Sequence, residues 1–324
     1  MPGRRTLLRV AAALLATPRI LPAQQPAVRL VWFSPARVDE GAQFLDALRD
    51  GLREVGYIEG RNLALEARWA GNLPGRADSI ATELAAGNAD LIIAQGPTVF
   101  ALRQAGVRAP VVFAFSGDPV EAGLVKSLAH PEGKLTGLSF LALELAGKRL
   151  ELLKATLPGL RRVAVVASAQ HPGDQAERRA SAQAAARLGL ELEYFEALGP
   201  NQLELALNGI ARARCEAALF FPIQTIIANS ARIATWANRQ RIPTISGWGP
   251  FADQGNLLSY GANLHAAFRR LADFADRILR GTAPGSLPVE LPRQLEFVVN
   301  LRAARGLGLS VPQPVVLRAD RLLE

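Results

Sequence analysis

The chain of 324 residues has one cysteine, Cys215, and one methionine, Met1. An internal disulfide is therefore excluded, and stability has to come from burial of a core. Histidine is scarce as well: His130, His171 and His265 lie far apart, so each is expected on the surface or in a loop, with no metal bound. Aromatic residues are only 6% of the chain, and no Lys/Arg block or basic stripe interleaved with aromatics occurs. Nucleic acid is thus not expected as a partner, despite a formal charge of +8 and a pI near 10.4. Four of the excess charges, Arg4, Arg5, Arg9 and Arg19, fall in residues 1–23, which contain no acid. Long apolar runs are missing too; residues 7–16 are broken by Arg9 and are too short for a membrane span. With Arg4-Arg5 in front and Ala23 behind, residues 1–23 have instead the layout of an export signal of Sec or twin-arginine type.

Catalytic signatures are also absent. No Gly-x-Ser-x-Gly elbow supplies a hydrolase nucleophile. Gly133-Lys134 lacks the upstream glycine of a phosphate-cradling loop and reads as a turn. Residues 247–252 do follow Gly-x-Gly-x-x-Ala, but Pro250 removes an N–H that a dinucleotide loop uses, and no acidic strand end comes after it. No enzyme activity and no cofactor are expected.

What the chain does have is 49% hydrophobic and 20% charged residues, the composition of a packed globular protein long enough for two domains. Residues 111–115 form a near-continuous β-branched and aromatic run between Pro110 and Ser116, which predicts a strand covered on both faces. Strands are likewise predicted over 28–34, 62–69, 89–95 and 135–140, with helices over 44–55, 76–86 and 98–105. The alternation restarts after Pro158-Gly159, with strands at 162–168, 190–195, 216–222, 242–247 and 256–261 and helices at 175–188, 202–212 and 226–239. A tail follows: a helix over 265–280, a strand-like 294–300 and a short helix to Gly306. Repeated β-α units force parallel strands with right-handed crossovers. The predicted fold is α/β, two doubly wound parallel-sheet lobes with a ligand cleft between them. The expected division is 28–140 plus 264–282 for one lobe and 141–261 plus 290–324 for the other.

The carboxyl ends of such strands are where an open α/β sheet holds a ligand. Ser34, Gln95, Thr98, Ser116, Asp118, Ser168, Gln224 and Tyr260 bring hydroxyls, amides and one carboxylate to those ends. Trp248 and Phe251 are expected as aromatic walls of the cleft, whereas Trp32 and Phe33 are expected in the core. Asp118 has two readings: partner of a ligand ammonium, or cap of a helix beginning at Pro119. Gln95 and Thr98 could equally cap the helix at 98.

Several motifs together carry a family resemblance. They include Gly56-Tyr57-Ile58-Glu59-Gly60-Arg61-Asn62, Ser116-Gly117-Asp118-Pro119, Gly123-Leu124-Val125, Thr136-Gly137 and Lys148-Arg149-Leu150-Glu151-Leu152-Leu153. Ser259-Tyr260-Gly261 and Asn300-Leu301-Arg302-Ala303-Ala304-Arg305-Gly306 continue the set to the end of the chain. In this order they resemble the substrate-binding proteins of ABC transporters, in the group with tryptophan- and tyrosine-binding lipoproteins. The resemblance implies a type I periplasmic-binding fold with three segments crossing between lobes. It does not imply the ligand; the expected function is that of a monomeric periplasmic receptor that captures a small polar or aromatic, amino-acid-like molecule and hands it to an inner-membrane permease. An exported ligand-sensing module for a membrane signalling receptor is the alternative.

Overall fold

The computed structural model describes residues 27–140 and 143–324; the expected export signal lies outside the described residues. The first lobe is a five-stranded parallel sheet of β1 (Val28–Ser34), β2 (Leu63–Trp69), β3 (Leu91–Gln95), β4 (Val111–Phe115) and β5 (Leu135–Ser139). Its spatial order is β2-β1-β3-β4-β5. Helices α1 (Val38–Glu54), α2 (Arg76–Ala86) and α3 (Thr98–Gln104) follow the first three strands, and α10 (Leu264–Leu279) returns from late in the chain. Adjacent residues in these strands point to opposite faces. Leu30 and Trp32 therefore pack with Phe44 and Leu48 of α1 and Phe268 and Leu271 of α10, while Val31 and Phe33 pack with Ile80 of α2 and Leu102 of α3. Because both faces are covered, the strands read as unbroken apolar runs. Gly51 lets α1 and α10 meet, since a Cβ there would lie 2.4 Å from the Arg269 carbonyl oxygen.

The second lobe is a seven-stranded sheet made from β6 (Arg162–Ala167), β7 (Glu191–Glu196), β8 (Ala217–Phe220), β9 (Thr244–Ser246), β10 (Leu258–Ala262), β11 (Leu295–Asn300) and β12 (Arg321–Leu323). The order is β12-β11-β10-β9-β8-β6-β7. Strand β11 runs antiparallel to β10, so this sheet is mixed, unlike the parallel lobe predicted. The cause is topological: the chain leaves β10 at Ala262 for α10 in the first lobe and comes back into the sheet at that same end, where Leu295 pairs with Ala262. Helices α4 (Leu143–Thr156), α5 (Asp174–Leu188), α6 (Pro200–Arg212), α7 (Gln224–Ala228), α8 (Ser230–Gln240), α9 (Gly249–Asp253), α11 (Leu301–Leu307) and α12 (Gln313–Val316) belong to this lobe. Passages between the lobes occur after β5, after β10 and between α10 and β11.

One predicted element is missing. After β4 the chain makes a series of turns and not the helix expected at Pro119. Gly123 adopts φ +65°, which stops any helix from propagating, and the Leu124 N–H closes on the Pro119 carbonyl at 2.9 Å. The small helix α9, unforeseen in the sequence, starts with Pro250 in its first turn.

Candidate functional site

The strand ends of the two lobes face each other and touch. Ser116 Oγ lies 3.0 Å from His171 Nε2, and the Asp118 N–H donates to the Pro172 carbonyl at 3.1 Å. On the other side of the cleft Gln224 Nε2 donates to Asn72 Oδ1 at 3.3 Å. At its base the Phe140 and Trp248 rings meet edge to face, with centroids 5.9 Å apart. Between these contacts is a cavity of about 190 Å³. Phe100, Phe115 and Ser116 of the first lobe line it, together with Ser168, His171 and Gln224 of the second. Pro97, Gln170, Pro172, Ile223 and Thr225 complete the wall.

The rings set its shape. Phe115 stands edge-on to Phe100 at 5.5 Å and lies tilted over the His171 ring at 6.1 Å. Burial holds the His171 imidazole down at about 4, so it is neutral at physiological pH. The loop carrying it is fixed by its own backbone: His171 N–H donates to Ser168 O, and Asp174 N–H donates to His171 O.

The other predicted residues divide into groups. Ser34 Oγ donates to Gln95 Oε1 at 2.6 Å, and Thr98 Oγ1 reaches the Gln95 carbonyl at 2.9 Å and the Phe33 carbonyl at 3.3 Å; these tie the ends of β1 and β3 to the start of α3. The cap of α3 is Pro97, with no side chain accepting there. Asp118 Oδ1 accepts from the N–H groups of Val120 (2.8 Å) and Glu121 (3.2 Å), which places this carboxylate in the turn beside the cavity. The Tyr260 ring packs on Phe297 at 6.2 Å, within the second lobe. Phe251 is fully buried against Phe220 and not in the cleft, because α9 begins at Gly249 and turns this ring toward the sheet. Trp32 and Phe33 are core residues, as expected. His171, Phe100 and Phe115 were missed as site residues. The sequence signal available for His171 was only its position three residues after the strand-end Ser168.

Residues 39–323 match the family described as ABC transporter substrate binding protein. The chain belongs to that family. Among relatives, a tyrosine-binding protein from Clostridioides difficile (strain R20291) is 26% identical over 269 residues, covering 82% of this chain and 75% of the relative. A conserved domain protein from Vibrio cholerae superposes with a TM-score of 0.83 at 28% identity, covering 91% of this chain and 99% of that one. The L-Trp complex of an ABC domain from Streptococcus pneumonia gives 0.81 at 21% identity, covering 91% and 100%. The two-lobed type I periplasmic-binding fold is thereby shown. The family is one of substrate-binding proteins and implies export from the cytoplasm; no helix among the described residues is long and apolar enough to cross a membrane.

Behind the second-lobe wall of this substrate-binding protein lies an ion pair. Arg149 of α4, buried, donates from Nη1 to Glu177 Oε1 of α5 at 3.2 Å and from Nε to the Tyr260 carbonyl at 2.9 Å. Burial pushes the Glu177 carboxyl up to about 7, against the opposing pull of the guanidinium. Gly247 fits against the same guanidinium, 3.1 Å from where its Cβ would be. Arg149 therefore joins the ends of β9 and β10 to the helix that carries the His171 loop.

Proposed function

We propose that this protein is the periplasmic solute receptor of an ABC transporter, closing two lobes on a small polar or aromatic molecule of amino-acid size and delivering it to a membrane permease. The observation that carries this reading is the cavity itself: its walls come from the strand ends of both lobes, and Ser116–His171 and Asn72–Gln224 bridge across it. Closure of this kind is a hinge motion, and a ligand touching both lobes stabilises the closed form. We take the lobes as 28–140 plus 264–282 and 141–261 plus 290–324. Ser116, Ser168, Gln224 and Trp248 are proposed to meet the ligand or seal it in, while Ser34, Gln95 and Thr98 hold the wall. Asp118 shapes the adjoining turn, and Tyr260 supports Arg149 through its carbonyl.

The cavity is smaller than the roughly 300–1,000 Å³ of drug-sized sites, which suits one compact metabolite. Likeness to the relative solved with L-Trp (TM-score 0.81) exceeds that to a ligand-free, open relative from Clostridium difficile (0.68), in keeping with lobes drawn together. A thermal-shift screen of amino acids, aromatic acids, amides and nucleobases tests the reading. A ligand at a hundred times its Kd adds about 2.7 kcal/mol to stability. Binding without a permease partner in transport assays would point to sensing; silence across the whole library would defeat the receptor reading.

A further inference from the structure

We propose that the cleft selects a ligand without formal charge, a small planar ring carrying both a hydrogen-bond donor and an acceptor, over zwitterions and ions of similar shape. This rests on the receptor reading above and narrows its substrate class. The polar groups on the cavity wall are hydroxyls (Ser116, Ser168, Thr225), carboxamides (Gln170, Gln224) and the His171 imidazole. Each can donate and accept, and among the described residues lining the cavity none is an Asp, Glu, Lys or Arg.

The ionised side chains that flank the cavity by sequence or contact are engaged with other groups: Asp174 and Glu196 both pair with Arg178. Asp118, the residue expected to receive a ligand ammonium, spends Oδ1 on the amides of Val120 and Glu121. Arg103 lies over the outer part of the Phe100 ring and donates to the Gly123 carbonyl at 2.8 Å, closing the same turn. An α-ammonium entering the cavity would leave water with no carboxylate on the wall to meet it, Asp118 standing outside the lining in the adjoining turn. An α-carboxylate would find hydroxyls and amides but no cation. Desolvation without a counter-charge weakens binding by about a hundredfold or more. An uncharged amide or heterocycle pays no such penalty, and the Phe100, Phe115 and His171 rings offer faces and edges to a flat partner.

Matched probes test this on the full mature protein by calorimetry and thermal shift. The pairs are indole-3-acetamide against L-tryptophan and indole-3-acetate, and 4-hydroxyphenylacetamide against L-tyrosine, with uracil and nicotinamide as smaller uncharged rings. At least one uncharged probe should bind about a hundredfold more tightly than its charged counterparts, with a Kd that barely changes between low and high salt. A zwitterion or carboxylate that binds as tightly as its amide overturns the proposal while leaving the receptor reading intact. If no probe and no compound of the wider screen stabilises the protein, the receptor reading falls, and this inference with it.

Discussion

Ligand binding should weaken in mild acid, because closing the lobes buries a histidine. With the lobes in contact as they are here, burial lowers His171 from 6.5 to about 4, and its Nε2 is engaged with Ser116 Oγ. When the lobes part, Ser116 leaves with the first lobe and the imidazole meets water, where 6.5 is the ordinary value. The closed form then holds fewer protons than the open one, so acid favours opening. Affinity is fully present above the open-form value and is lost as pH falls from 6.5 toward 4. Between pH 7 and pH 5 the apparent affinity should drop about 20-fold, roughly 2 kcal/mol, and level off below pH 4. Neighbouring ions do not alter the sign: Asp174 is paired with Arg178 at 2.6 Å, and Asp118 caps its turn. The assay is calorimetric titration with the best uncharged ligand from pH 8 to 4.5, so that the ligand itself does not titrate. A His171→Gln variant, which keeps a hydrogen-bonding side chain, should bind with a flat profile. Constant wild-type affinity from pH 7 to 5, or an equal slope in the variant, would refute the reasoning.

Further outcomes follow from packing. Arg149→Leu removes the guanidinium that opposes burial at Glu177, whose carboxyl already stands at about 7, so Glu177 takes up a proton and urea unfolding at pH 7 should show a loss of about 1–3 kcal/mol that grows as pH rises; a loss independent of pH would count against this. Gly261→Ala would place a Cβ 1.8 Å from the Gly247 carbonyl oxygen, where β10 leaves for the first lobe, and should lower stability by about 1–3 kcal/mol or more in thermal unfolding. Asp118→Ala removes the acceptor for two turn amides and should cost about 1 kcal/mol in denaturant, with the cavity's ring walls unchanged. Asn72→Gly, which suits the φ of +57° there, removes one cross-cleft bond and a bond to Glu40; the ligand's dissociation constant should rise by about 2–10-fold, and Tm without ligand should fall by a few degrees.

The strands of the first lobe were legible because both faces are covered. Val111, Val112 and Phe113 cannot alternate with polar residues when helices lie above and below, and a run of that kind has few other readings. The strand ends were legible for the same reason: burial stops at Ser116 and just beyond Ser168, where polar residues first become tolerable. Local backbone effects were harder. The helix expected at Pro119 fails at Gly123, whose positive φ is a feature of the folded turn and not of composition. Phe251 looked like a cleft residue from its neighbour Trp248, but one extra half-turn of helix separates a ring on the lobe contact from a ring in the core.

By itself the sequence determined the alternation of strands and helices, and with it two sheets whose carboxyl ends must carry any site, since apolar periodicity and turn residues act over short distances. It also determined that no disulfide or P-loop is present. Only the tertiary structure decided which strand-end groups share one cavity. Ser116 meets His171 across 55 positions and Gln224 meets Asn72 across 152, and pairings at such separations depend on how the lobes dock, which no local pattern encodes. The same docking buries His171 in its neutral form beside a cavity lined by dipoles and rings, whereas Asp118 is held by contacts two and three residues away in its own turn.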